Sequence, residues 1–113
     1  MMVMSDVPDF IAIFFGAIKS GIIPVPVNTM LRAEDYKYLI TDSACAGLIY
    51  SKIFSKTIKR AIKEADYKPK NILSAENLRN AAAALSTELA FSINSHLDDC
   101  FWLYSSGSTG KPK

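Results

Sequence analysis

Residues 46–65 read AGLIYSKIFSKTIKRAIKEA, and this stretch decides the fold. Its first part, Ala46–Tyr50, is a short apolar run that predicts a buried β-strand. Apolar residues then recur at helical spacing, which predicts an amphipathic helix. They are Phe54, Ile58, Ala61, Ile62 and Ala65. Four lysines fall mainly on the opposite side of this helix, where we expect a solvated face rather than a phosphate or nucleic-acid site. They are Lys52, Lys56, Lys59 and Lys63.

The same alternation of strand and helix extends toward the amino terminus. Met1–Met4 is a continuous apolar run that predicts a strand covered on both faces. A helix follows, with Pro8 tolerated in its first turn and Gly21 as its stop. Its apolar residues cover nearly the whole circumference, so we expect this helix to be buried. They are Phe10, Ile11, Ile13, Phe14, Phe15 and Ile18. Ile22–Val27 then predicts a short strand, weakened by two prolines.

The remaining elements complete the pattern. Residues 32–41 predict a second helix, although Arg32 is a poor N-cap and leaves the start of the helix open. Asn71–Leu73 predicts a weak strand, and residues 78–85 predict an alanine-rich helix. Cys100–Tyr104 predicts an aromatic strand whose Phe101 and Trp102 belong to the core. Strands that alternate with helices indicate an α/β fold, a parallel sheet with helices on both faces, and residues 1–113 form one unit of it.

Composition narrows the function classes. The chain has 113 residues, half of them hydrophobic, and a net charge of +2, so it lacks the basic excess typical of nucleic-acid binders. Its two cysteines, Cys45 and Cys100, form no CxxC or Cys/His cluster with metal-ligand spacing, and we expect no metal site and a reduced, cytoplasmic setting. The most apolar stretch, Phe10–Val27, is interrupted by a lysine, glycines and prolines, which argues against a membrane span.

The residues with the most distinctive chemistry are Tyr104–Lys113, which read YSSGSTGKPK. Gly107 and Gly110 let the backbone approach an anion closely, while hydroxyl groups and lysines supply donors and positive charge. A Walker A loop needs four residues between its glycines, whereas only two separate them here, so that interpretation fails. Composition alone leaves two possibilities open, a polyphosphate-binding loop and an ordinary polar turn.

The order of these residues closely resembles the signature of adenylate-forming enzymes, which comprise acyl- and aryl-CoA synthetases, adenylation domains and luciferases. Residues 16–28, GAIKSGIIPVPVN, also resemble that family's helix and strand before a proline-containing turn. Residues 101–110, FWLYSSGSTG, look most like the benzoate-CoA ligase branch, as do Asn28-Thr29 and Asp35-Tyr36. Relatives often place a hydroxyl residue and proline where this chain has Arg32-Ala33. The resemblance implies a piece of the large N-terminal domain that ends in a phosphate-binding loop, residues 104–113.

The resemblance also implies a two-step reaction. A carboxylic acid attacks the α-phosphate of Mg²⁺-ATP to give an acyl-adenylate, and coenzyme A then displaces AMP. Lys111 ranks below Lys113, because the family varies at position 111. By matching positions, one set of residues would hold the β- and γ-phosphates. That set is Ser105, Ser106, Gly107, Ser108, Thr109, Gly110 and Lys113. The adenine, ribose and acyl sites and the catalytic lid of such enzymes lie downstream of this motif. We therefore expect no catalytic residue in this chain and no ligation by the chain alone.

Other candidate residues have simpler interpretations. His96 has no nucleophile or acid nearby in the sequence, so a surface histidine is expected. Asp98 and Asp99 directly precede the predicted aromatic strand and fit a turn better than a Mg²⁺ pair. Two alternatives to a CoA ligase stay open. One is an adenylation domain that loads a carrier protein, and the other is a non-catalytic binding or assembly module.

Overall fold

A computed structural model of the chain describes residues 1–88 and 95–105. Strands and helices alternate as the sequence predicts. In chain order they are β1 (Met2–Val3), α1 (Pro8–Lys19), α2 (Ala33–Ser43), β2 (Gly47–Tyr50), a 3₁₀ turn (Lys52–Phe54), α3 (Ser55–Glu64), β3 (Asn71–Ser74) and α4 (Ala75–Ala82). The four lysines of residues 52–63 are exposed, in agreement with the expected solvated face.

The sheet is parallel and has the strand order β1-β2-β3. Met2 pairs with Ile49, and Gly47 pairs with Asn71. A fourth segment lies on the outer side of β1, where the Met2 amide donates to the Val25 carbonyl at 2.9 Å and the Val27 amide donates to the Met2 carbonyl at 3.0 Å. The strand predicted for Ile22–Val27 is thus reduced to a single bridge to β1 at Pro26. The prolines affect the opposite edge of this segment, where they have no N–H to donate to a ladder.

Helices cover both faces of the sheet, which confirms the predicted architecture. On one face, alternate strand residues such as Val3 and Leu48 pack with α2 and α3, and side chains from both helices are fully buried there. Those side chains include Tyr36, Leu39, Ile40, Ile58 and Ala61. On the other face, Met2 and Met4 pack with Ala75 and with partly buried residues of α1. The period of two along β1 and β2 therefore sends successive side chains into two separate cores.

Helix α1 is less buried than its sequence predicts. Phe10, Ile13 and Phe14 pack against the second core, but no residue of this helix is fully buried. Ile11 and Phe15, on the outer side, are 56% and 60% exposed. The prediction of a helix buried all round is wrong for the described part of this chain, because only the sheet side of α1 has apolar partners there.

Local hydrogen bonds explain where two other helices begin. Helix α2 starts at Ala33, and the Asp35 carboxylate accepts a hydrogen bond from the Arg32 amide at 3.0 Å. Asp35 thus supplies a capping contact at the start of α2, although Arg32 is a poor N-cap residue. Helix α4 starts at Ala75, three residues before the predicted start, because the Ser74 hydroxyl accepts from the Asn77 amide at 3.1 Å.

In the part of the chain that the structure describes, two helices end in left-handed backbone conformations, and only one of these ends uses glycine. Gly21, with φ of 72°, ends α1 as predicted, and the Ile22 amide donates to the Ala17 carbonyl at 2.9 Å. This bond is typical of a Schellman motif. Ala44, with φ of 44°, ends α2. An alanine side chain is strained in that region, so α2 ends at a cost in stability.

We expect Ala44→Gly and Gly21→Ala to change stability in opposite directions. The first should raise the free energy of unfolding by about 0.5–1 kcal/mol, because it removes the strained Cβ, and the second should lower it by a similar amount. Denaturant unfolding of the chain measures both. Ala83, which ends α4 with φ of −59°, provides the control, since Ala83→Gly should not stabilise. A destabilising Ala44→Gly would contradict the strain argument.

Candidate functional site

The predicted phosphate-binding residues begin at Ser105, the last described residue of the chain. Ser105 is exposed and directly follows Tyr104, which is partly buried. The other predicted phosphate-binding residues, Ser106, Gly107, Ser108, Thr109, Gly110 and Lys113, lie outside the described residues. The described residues show how residues 100–105, the segment that leads to these positions, are attached to the rest of the chain.

This leading segment, residues 100–105, is not a β-strand in the structure. Its attachment to the sheet is a hydrogen bond from the Trp102 amide to the Pro24 carbonyl at 3.1 Å. The prediction of an aromatic strand at Cys100–Tyr104 is therefore wrong. Pro24 and Pro26 in the neighbouring segment provide a reason, because they have no N–H to donate to a strand there. Phe101 and Trp102 are 44% and 47% exposed, so the expected core positions are also wrong for the described chain.

Aromatic side chains attach the leading segment to the two helical layers. The Phe101 ring lies 5.6 Å from the Phe14 ring of α1, tilted by 58°. Tyr104 packs against the core that α2 and α3 form on the other face. The segment is thus fixed from both sides of the sheet, up to the residue before Ser105, the first predicted phosphate-binding residue.

Asp42, in the last turn of α2, accepts hydrogen bonds from two phenol groups. The Tyr104 hydroxyl donates to its Oδ2 at 2.7 Å, and the Tyr38 hydroxyl donates to its Oδ1 at 3.3 Å. The sequence gives no signal for the first contact, because 62 residues separate its partners. Each oxygen of the Asp42 carboxylate thus has a phenol donor, and one of these donors belongs to the segment that leads into the loop.

The environment of Tyr104 favours its neutral form. Burial raises the pKa of the Tyr104 hydroxyl, and the hydrogen bond to Asp42 and the negative charge of that carboxylate raise it further. A phenolate beside a carboxylate would be repelled, and it would have no proton to donate. The contact therefore persists through the neutral pH range.

The acidic residues before the segment act as turn residues. The Asp98 carboxylate accepts from the Ser95 amide at 2.7 Å, and the Asp99 carboxylate accepts from the Trp102 indole nitrogen at 2.9 Å. These contacts support the turn interpretation over a Mg²⁺ pair. Within residues 1–88 and 95–105, no group of three potential ligands could hold a metal ion. His96 is exposed, as expected.

A separate cleft of about 570 Å³ opens where β1 and β2 end. The Ser51 hydroxyl accepts from the Ser5 amide at 3.1 Å and joins the ends of the two strands. On its wall, the Arg79 guanidinium lies 3.1 Å from the Asp9 carboxylate, which links α4 to α1. The charge of Arg79 is thus matched within the chain, and no sequence pattern indicates this pair, whose partners are 70 residues apart.

The pattern of the AMP-binding enzyme family matches residues 1–113. The chain belongs to this family. A benzoate–CoA ligase from Thauera aromatica is 35% identical over 109 residues, which cover 93% of this chain and 21% of that protein. A long-chain-fatty-acid–CoA ligase from Mycobacterium tuberculosis, FadD13, is 33% identical over 119 residues, covering 99% of this chain and 23% of that protein.

Solved structures share the fold of this AMP-binding enzyme family member. A benzoate CoA ligase from Burkholderia xenovorans LB400 superimposes with a TM-score of 0.80 at 26% identity, covering 91% of this chain and 21% of that one. The chain thus spans about a fifth of the length of the relatives it matches. Among the described residues, no helix has the length and apolar character needed to span a bilayer.

The Tyr104–Asp42 contact should make stability depend on high pH. Folding raises the pKa of Tyr104, so its contribution is complete below about pH 10, the pKa of an unfolded tyrosine, and is lost as the pH rises further. We expect the free energy of unfolding to fall less between pH 9 and pH 11 in Tyr104→Phe than in the wild type. Asp42→Asn should lie between the two.

Denaturant titrations at the two pH values measure this difference. Asp99→Asn is the matched control, because Asp99 accepts from Trp102 rather than from a tyrosine, and it should behave as the wild type. An identical loss of stability in Tyr104→Phe and wild type would show that folding does not change the ionisation of this phenol.

Proposed function

We propose that this chain is part of an ATP-dependent acid:CoA ligase. The observation that carries the proposal is the sequence of residues 104–113, whose glycines, hydroxyl groups and lysines suit a polyphosphate, within a chain that matches the AMP-binding enzyme family throughout. The anchored segment before Ser105 supports it, because a loop that holds phosphates needs a fixed base. A cytoplasmic location stays a prediction.

In the proposed first step, a carboxylate oxygen of the acid attacks the α-phosphorus of Mg²⁺-ATP, and the bond to pyrophosphate breaks. Negative charge shifts onto the leaving pyrophosphate. Backbone amides of residues 105–110 and the Lys113 ammonium would stabilise that charge. In the second step, the CoA sulfur attacks the acyl carbonyl and AMP leaves, so this step involves no pyrophosphate.

We further propose an aromatic acid of the benzoate class as the substrate. The benzoate–CoA ligase from Thauera aromatica supports this choice, and the fatty-acid ligase FadD13, of similar identity, provides the competing class. Pyrophosphate exchange into ATP, catalysed by the full-length protein that carries this chain, compares the two classes. We expect benzoate to support faster exchange than a long-chain fatty acid. The reverse order would contradict the aromatic assignment and leave the ligase assignment intact.

The acceptor distinguishes this proposal from its alternatives. Release of AMP from the acyl-adenylate on addition of CoA supports a CoA ligase, whereas release only on addition of a phosphopantetheinyl carrier protein would indicate a carrier-loading adenylation domain. A full-length protein that forms no adenylate with any acid would be a binding or assembly module. Each outcome assigns one of the three functions.

We expect Thr109→Ala and Lys113→Ala to slow adenylate formation selectively in the full-length enzyme. Loss of a charge-assisted contact of roughly 1.5–3 kcal/mol should lower the rate of this step about ten- to a hundred-fold. Thioester formation from supplied acyl-adenylate and CoA should stay near the wild-type rate, because it contains no pyrophosphate. Single-turnover kinetics of each half-reaction measures both rates.

Lys111→Ala is the matched control, since this lysine lies in the same loop at a position that is not assigned to phosphate. It should change the first step less than Lys113→Ala does. Equal losses in both half-reactions, together with a lower melting temperature, would show that the loop only supports the fold.

The 113-residue chain alone should bind ATP more weakly than in the micromolar range, because a phosphate loop without adenine and ribose contacts provides only part of a binding site. Isothermal titration calorimetry of the chain with Mg²⁺-ATP tests this. A micromolar dissociation constant, about −8 kcal/mol, would show that the chain holds a complete nucleotide site.

A further inference from the structure

The contact between Tyr104 and Asp42 is the anchor nearest to the proposed phosphate loop in the described part of the chain. The Trp102 amide bond to Pro24 and the Phe101–Phe14 ring contact lie two and three residues earlier than Tyr104. Ser105 is exposed and follows immediately. The position of Asp42 therefore determines where the backbone enters the loop.

Asp42 is exposed, but the buried side of its helix and a second phenol contact hold it in place. It lies two residues after the fully buried Ile40, and Leu39 on the same helix is also fully buried. The start of this helix is fixed as well, because the Tyr36 hydroxyl donates to the Asn28 carbonyl at 2.8 Å. The Tyr38 hydroxyl contacts the second oxygen of the Asp42 carboxylate and limits its rotation. Asp42 thus presents an acceptor of defined position to Tyr104.

The location of Asp42 in α2 is unfavourable for the helix itself. It is the residue before Ser43, the last residue of α2, where unpaired carbonyl groups make the helix terminus partly negative. An acid at this end destabilises a helix unless another interaction compensates. The short phenol-to-carboxylate hydrogen bond from Tyr104 provides such compensation, since bonds to charged acceptors are the stronger kind.

We propose that Asp42 is a positioning residue for phosphate binding: by accepting the hydrogen bond of the Tyr104 hydroxyl, it fixes the backbone just before Ser105, the first predicted phosphate-binding residue. This inference rests on the proposed function, because it assigns the proposed phosphate loop to ATP. Asp42 acts through Tyr104 and needs no contact with the nucleotide.

Kinetics of the full-length enzyme tests the role. Asp42→Ala and Tyr104→Phe should each raise the KM for ATP and slow adenylate formation, by up to about tenfold, with thioester formation from supplied acyl-adenylate unchanged. The double variant should be no worse than the more affected single variant, because both changes remove one interaction. Asp42→Asn retains an amide oxygen that can accept from the phenol, and it should stay within about twofold of the wild type.

Tyr67→Phe is the matched control, because Tyr67 packs against the same core and loses the same hydroxyl. It should leave the KM for ATP unchanged. If Asp42→Ala fails to fold, the comparison of Tyr104→Phe with Asp42→Asn and Tyr67→Phe decides the question. An unchanged KM for ATP in Tyr104→Phe, in an enzyme that forms adenylate, would overturn the proposal.

Amide hydrogen exchange separates this inference from the proposed function. Peptides that cover residues 101–105 should exchange at least several times faster in Asp42→Ala than in the wild type, while α3 keeps its protection. A wild-type protein that activates no acid would refute the ligase assignment, yet the exchange result would still decide whether Asp42 anchors the segment. Unchanged exchange in Asp42→Ala would overturn the anchoring whatever the activity.

Discussion

Pairing of β1 with β2 is the interaction on which the rest of the structure depends. The two strands are parallel, so the chain between them must return across the sheet, and it does so through α1, the segment 22–27 and α2. Successive residues of each strand then enter opposite cores, one formed with α2 and α3 and the other with α1. A strand pair exposed on one face could not hold helices on both sides. Residues 100–105, which lead to the proposed phosphate loop, would then lose their side-chain contacts with α1 and α2.

The sequence predicted regular elements best where periodicity alone determines them. The period of residues 54–65 placed α3 correctly. Gly21 marked the end of α1, because the left-handed backbone conformation that ends a helix favours glycine whatever the helix packs against. The start of α4 was predicted late, since the deciding contact is a serine hydroxyl outside the apolar pattern. The burial of α1 was overestimated, because apolar composition does not reveal which neighbours a helix has.

Contacts between residues distant in the sequence were not predictable in the same way. Tyr104 was expected in a strand, but its partner Asp42 lies in another element, and neither residue has a neighbour in the sequence that indicates the other. The motif at residues 104–113 indicated a phosphate-binding loop through the types and order of its residues. How the chain supports that loop depends on three-dimensional packing, which no local pattern encodes.

The two prolines beside β1 have a mechanical consequence. Pro24 and Pro26 cannot donate hydrogen bonds, so this part of the segment 22–27 does not offer residues 100–105 a full ladder. Among the described residues, the Trp102 amide forms the backbone hydrogen bond between the two segments. Side chains at either end, Phe101 and Tyr104, provide the other attachments. A ladder resists twisting because several parallel bonds must break together. An attachment at a few separate points has no such redundancy, so the loss of one side-chain contact would loosen that end of the segment while the sheet beside it stays intact.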